Sequence, residues 1–154
     1  MEKELKKRRE DLEIRPCVET ELDEVMLLQE SIYKNMQQKD WFAVASRDEN
    51  KRFMKEPNVI LGVYNKDKLA AYGTIGFLGN SSDNLGWDLG WTQEKVYRCA
   101  VLDAIIVDSE YRGLGLQREL IRRCVKHAMN KKSGCIVLAT VSPDNIYSLR
   151  NVQA

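Results

Sequence analysis

Leu22, Val25, Met26, Ile32, Tyr33 and Met36 recur at three- and four-residue steps, so they line one face of a helix. Thr20 stands where a hydroxyl can cap its first turn. Ahead of it, "LEIRPCV" (12–18) reads as a short strand. A more polar helical stretch surrounds residues 47–56, and Pro57, which lacks a backbone N–H, ends it. In "NVILGVYNKDKLAAYGTIGFL" (58–78) two apolar runs flank the polar turn "NKDK", the pattern of a β-hairpin.

Residues 80–94, "NSSDNLGWDLGWTQE", form a long loop rich in Gly, Asn, Asp and Ser, with Trp87 and Trp91 set into it. "VYRCAVLDAIIVD" (96–108) is a long strand, apolar on both faces and therefore central. Leu116, Leu120, Ile121, Cys124, Val125 and Ala128 then make a helical stripe, with Arg118, Glu119, Arg122, Arg123 and Lys126 opposite. Gly134 opens a further strand, "CIVLATV", and Pro143 and Asp144 begin a last helix. No repeat or linker interrupts the order. One α/β domain over 1–154 is expected, a mixed sheet flanked by helices, preceded by a charged segment at 1–11.

Composition narrows the partners more than the fold. The net charge of +1 creates no field suited to nucleic acid or a membrane surface. The run "EKELKKRRED" holds both signs and reads as a solvated helix. No window approaches the roughly 18 consecutive apolar residues of a membrane span, and the N-terminus has no apolar secretory core. A cytoplasmic location is expected. Cys17, Cys99, Cys124 and Cys135 stand far apart, without a C-x-x-C pair, and read as reduced thiols in a core. With His127 as the single histidine, no metal site is expected.

The most informative stretch is "VDSEYRGLGLQRELIRRC" (107–124), where a strand meets a glycine turn and then a helix. The first N–H groups of a helix have no internal partners, and the helix dipole makes that end positive. Glycines let a ligand approach the backbone, and Arg112 adds a permanent cation, so the turn suits phosphate. A tight turn needing only positive φ is the alternative reading. No G-x-x-x-x-G-K-[ST] is present, and G-x-G-x-x-G fails at Arg118.

The remaining pattern, R-G-x-G-x-x after "IIVDSEY", resembles the acetyl-CoA-binding motif [Q/R]-x-x-G-x-[G/A] of the GNAT superfamily of acyl-CoA N-acyltransferases. Arg112 fills its first position and Gly115 its glycine, while Gln117 stands where the family usually has Gly or Ala. "VSPDNIYS" resembles the motif that follows, with Asn145 matching its asparagine, and the order of elements matches over nearly the whole chain. The resemblance implies a GNAT-like fold and acetyl-CoA as co-substrate. It places the pantetheine arm along the backbone of Ile105, Ile106 and Val107, and near Asn145. It places the pyrophosphate on Arg112, Gly113, Leu114, Gly115, Leu116 and Gln117, helped by Arg118.

Such a protein transfers an acyl group from the thioester to a primary amine of a small molecule or protein, and a carboxylate can take the ammonium proton. Strand alternation puts Asp103 on one face with Val101, Ile105 and Val107. There it is a candidate base, or else a buried structural partner. Many family members reprotonate the thiolate with a tyrosine seven residues after the motif asparagine, where this chain has Val152; Tyr147 is the nearby candidate. That departure keeps open a second reading, a CoA-binding module without catalysis. Trp87 and Trp91 either line the acceptor site or anchor their loop. Family members also continue past the last helix with two more strands. The "CIVLATV" edge is therefore expected to be covered by another chain, as in a homodimer, or else the sequence is part of a longer one.

Overall fold

The computed structural model describes residues 9–36 and 44–139. Its sheet has five strands in sequence order: β1 (Glu13–Pro16), β2 (Val59–Asn65), β3 (Lys68–Gly76), β4 (Cys99–Val107) and β5 (Ile136–Leu138). The first four run antiparallel and β5 lies parallel to β4. Helices α1 (Leu22–Asn35) and α2 (Arg47–Phe53) cover one face. The short helices α3 (Leu85–Asp88) and α4 (Gln93–Tyr97) follow β3, and α5 (Leu116–Lys131) joins β4 to β5. No described helix is long and apolar enough to cross a membrane.

Each face of the sheet carries its own apolar layer. Leu116, Leu120, Cys124 and Ala128 of α5 pack with Val59, Leu61, Val63, Ala71 and Ile75. Burying each large apolar side chain is worth roughly 1.5–3 kcal/mol, which is what clamps α5 across the strands. On the opposite face Val25 and Leu28 of α1 and Phe53 of α2 pack with Ile60, Tyr64, Tyr72 and Ile106. That layer also holds a polar knot. Gln29 donates to Ala45 O (2.7 Å), and its Oε1 accepts from Ala45 N (3.3 Å), Asn50 Nδ2 (3.4 Å) and the Tyr72 hydroxyl (3.4 Å). All four cysteines are free thiols; burial raises the pKa of Cys17 to about 11 and that of Cys124 to about 12.

Several boundaries differ from the expectation. Thr20 does not cap α1: residues Glu19–Glu21 form a 3-10 turn, and the Glu21 carboxylate receives the Val18 N–H (2.9 Å). Helix α2 stops at Phe53 and starts from Ser46, whose hydroxyl accepts from Glu49 N (3.1 Å) while Glu49 receives Ser46 N (3.0 Å). The loop over 80–94 contains α3 and the first two residues of α4. Buried Asn84 ties it together by receiving Gly86 N and donating to Gly79 O (2.9 Å) and Val96 O (3.1 Å). Glu119, expected on the solvent face of α5, is buried.

Arg15 links β1 to the entrance of α1. Its guanidinium forks onto both Glu21 oxygens (2.9 and 2.7 Å) and lies 3.8 Å from the Tyr64 ring centre. The Arg15 hydrogen bonds depress the Glu21 pKa from 4.5 to about 2 against the opposing effect of burial. A depressed carboxylate contributes stability that is present above its unfolded pKa and lost as pH falls through the folded one. Glu21→Gln should therefore cost about 1–2 kcal/mol at neutral pH. The difference from wild type should close as pH falls from 4.5 toward about 2. Urea melts across pH read this directly, and equal stability at neutral pH would refute it.

Candidate functional site

The glycine turn expected to hold phosphate is built by a chain that alternates inward and outward. Tyr111 is 1% exposed and its hydroxyl accepts from Asn65 Nδ2 (2.8 Å), so the turn is fastened to the end of the β2–β3 hairpin. Leu114 packs against the α5 core layer and Leu116 is 2% exposed. These two expected cofactor residues can offer a ligand only their backbone. Around these buried positions Arg112, Gly113 and Gly115 are exposed. Asp108 Oδ1 accepts from Glu110 N (3.0 Å) and steadies the 3-10 turn Ser109–Tyr111.

Both glycines lie in the left-handed region, Gly113 at φ 84° and Gly115 at φ 73°. A side chain at either would strain the backbone. Gly115 is the N-cap of α5, and it brings no side chain to cap the helix. The first intrahelical bond runs from Glu119 N to Gly115 O (3.1 Å), so the N–H groups of Leu116, Gln117 and Arg118 come before the ladder begins. Arg112 and Arg118 are exposed, and neither makes an ion pair among the described residues. A positive helix end, accessible backbone and two exposed arginines are the features that an anion site requires.

Among the described residues, the strand leading into this turn has an open edge: β4 pairs with β5 over Cys99–Val101, opposite Ile136–Leu138, and no described strand pairs with that edge beyond Val101. Asp108 N bonds Ala70 O of β3 (2.9 Å), which fixes the parity of the ladder. The N–H and C=O of Ile106 therefore face β3, while those of Ile105 and Val107 face the open side. Ile106 is thus corrected as an edge residue: its backbone is used by β3 and its side chain is 3% exposed.

Asp103 also departs from strict alternation. The β3–β4 register shifts between Thr74, opposite Ala104, and Ile75, opposite Leu102, which leaves Asp103 as the extra residue of a bulge. A bulge resets which face a side chain takes. Ile105 and Val107 pack toward α5, whereas Asp103 acts on Tyr72 in the α1–α2 layer. Nor is it buried: its side chain reaches solvent. The surrounding protein nonetheless withdraws enough water to raise its pKa, and the charges of Glu49 and Asp83 push the same way against Arg52. Asp103 thus lies among α2, the start of the 80–94 segment and β4. Trp87 donates its indole N–H to Ser81 O (3.0 Å), and the Lys95 ammonium lies 3.9 Å from the Trp91 ring, so both tryptophans anchor that segment. Asn145, Tyr147 and Val152 lie outside the described residues.

A cleft of about 660 Å³ between β1 and α5 is lined by Ile14, Leu61, Arg123, Lys126 and His127. It borders the sheet edge opposite β5, away from Asp103 and the open side of β4. Three features of the site escaped the sequence reading: the Tyr111 anchor, the bulge, and the contact of Arg9 with Glu119. Only Tyr111 left a signal, an aromatic flanked by charges at the strand end.

The family model described as Acetyltransferase (GNAT) family matches residues 22–152. No curated protein matches the sequence. Among solved structures, a ribosomal-protein-alanine N-acetyltransferase from Brucella melitensis is 15% identical with a TM-score of 0.68, over 92% of this chain and 81% of that one. A putative acetyltransferase from Salmonella typhimurium, solved with its cofactor acetyl-CoA, is 15% identical with a TM-score of 0.69, over 93% and 77%. An aminoglycoside acetyltransferase from an uncultured soil metagenomic sample, in complex with sisomicin, is 15% identical with a TM-score of 0.63, over 94% and 86%. The family match spans most of the chain, and the fold follows that of the solved acetyltransferases over more than nine-tenths of it. The chain belongs to the acetyltransferase (GNAT) family and is in class an acetyl-CoA-dependent N-acyltransferase.

Proposed function

We propose that the protein transfers the acetyl group of acetyl-CoA directly to a primary amine, with Asp103 as base. The observation that carries this reading is the geometry of β4. One strand offers backbone groups at Ile105 and Val107 along an open edge, leads into the phosphate cradle at one end, and displays an acid with a raised pKa at its bulge. The cradle from Arg112 to Arg118 takes the diphosphate through backbone N–H groups and guanidiniums. The pantetheine amides follow the edge of β4, which carries the thioester toward Asp103.

On the other side of the thioester, Glu49 and Asp83 are close enough for their charges to act on Asp103, with Arg52 the opposing cation. That excess of negative charge favours an ammonium acceptor over an anionic one. Asp103 takes one proton from the ammonium, directly or through water. The freed amine forms a C–N bond to the thioester carbon, the tetrahedral adduct collapses with cleavage of the C–S bond, and the nitrogen gives up its second proton. One of the two protons returns to the CoA thiolate and the other goes to solvent. Holding both reactants in register accounts for much of the acceleration.

A screen of amines with acetyl-CoA, reading free thiol, tests the proposal. Turnover on at least one primary amine is expected, with the product acetylated on nitrogen. Tight CoA binding with no turnover on any amine would favour the CoA-binding module instead.

A further inference from the structure

We infer that Arg9 is a further ligand of the cofactor's diphosphate, drawn onto the phosphate turn by the buried carboxylate of Glu119. The inference rests on reading the turn as the cofactor's phosphate site. Glu119 lies in the first turn of α5 with a side chain 7% exposed. Arg122 reaches both its oxygens (2.9 and 3.0 Å) and Arg123 reaches Oε2 (2.9 Å). Burial raises the Glu119 pKa, but the Arg122 and Arg123 hydrogen bonds and the charges of Arg122 and Arg9 outweigh it, leaving a net depression. Two arginines of the same helix thus already match the buried charge.

Arg9 comes from the far end of the sequence and adds a third guanidinium. Its Nη2 bonds Glu119 Oε1, and its Nη1 lies 3.5 Å from where a Cβ on Gly115 would stand. A cation held at the positive end of a helix is disfavoured by the dipole unless an anion lies between them. The side chain is 49% exposed, so guanidinium donors remain available beyond the Glu119 contact. Arg9 thus joins two exposed arginines, Arg112 in the glycine turn and Arg118 in the first turn of α5. Glu110, the nearest acid preceding it, is engaged by Lys68 (3.3 Å). The ligand this arrangement suits carries at least two negative charges, as a diphosphate does.

Calorimetry with CoA and with pantetheine, which lacks the diphosphate, separates the roles in wild type, Arg9→Gln and Arg9→Lys. Arg9→Gln should weaken CoA about 10-fold, with the deficit shrinking at high salt, and leave pantetheine unaffected. Arg9→Lys should recover part of the loss. In turnover assays the KM for acetyl-CoA should rise while kcat holds. Unchanged CoA affinity in Arg9→Gln, with or without a lower melting temperature, would reduce Arg9 to a structural ion pair. Equal weakening of CoA and pantetheine would also overturn the assignment. Wild-type protein that binds no CoA would instead remove the reading of the turn itself, and this inference with it.

Discussion

Asp103→Asn should lower kcat by about 10²–10⁴-fold and leave CoA affinity within a factor of about two. The amide keeps the shape of the side chain at the bulge but cannot accept the ammonium proton. The pH profile gives a sharper signature. Desolvation and the charges of Glu49 and Asp83 hold the Asp103 pKa above the ordinary aspartate range. The acidic limb of kcat/KM should therefore lie higher than for an unperturbed aspartate and disappear in the variant. An acceptor whose amine titrates well outside that range keeps the two ionisations apart.

Stability should move the other way. An acid with a raised folded pKa binds protons more readily in the native state, so stability falls as pH rises through that range. Above that range the wild type carries this disadvantage in full, and there Asp103→Asn should be at least as stable. Lower activity with equal or higher melting temperature would mark a group placed for chemistry. Near-normal turnover at every pH would return Asp103 to a structural role.

Arg112→Glu is the second large effect. It replaces a cation proposed to face the diphosphate with an anion at the same exposed position, so attraction would become repulsion. CoA binding should weaken by about 100-fold or more, some 2.7 kcal/mol. Because Arg112 has no ion pair among the described residues and lies in solvent, the fold should be unaffected by circular dichroism. Unchanged CoA affinity in a folded variant would sink the phosphate-site assignment.

The sequence was readable wherever one local rule decided the structure. Periodicity placed α5 and its buried stripe, alternation and turn chemistry placed the β2–β3 hairpin, and the glycines placed the turn from β4 into α5. What it hid depends on pairing between distant segments. The bulge at Asp103 is set by the register against Thr74 and Ile75, so counting alternate residues along β4 assigned the acid to the wrong face. Glu119 sits among charged residues in sequence and read as solvent-facing. It is buried because Arg9, 110 residues away, closes over it beside Arg122 and Arg123. Ile106 is apolar like its neighbours, and only the Asp108–Ala70 bond reveals which of the three has its backbone occupied.

The carboxamide of Gln29 would give the side proposed for the acceptor a different freedom from the side proposed for the cofactor. One buried group joins α1, the approach to α2 at Ala45, Asn50 of α2, and Tyr72 of β3, the residue whose neighbour across the layer is Asp103. Mutations that reshape acceptor preference by tilting α2 would have to carry this shared hydrogen-bond partner with them. Changes confined to outward side chains of α2, such as Glu49 and Arg52, would not. New acceptor specificities should therefore be reached through charge swaps on that helix, ahead of any change in its position.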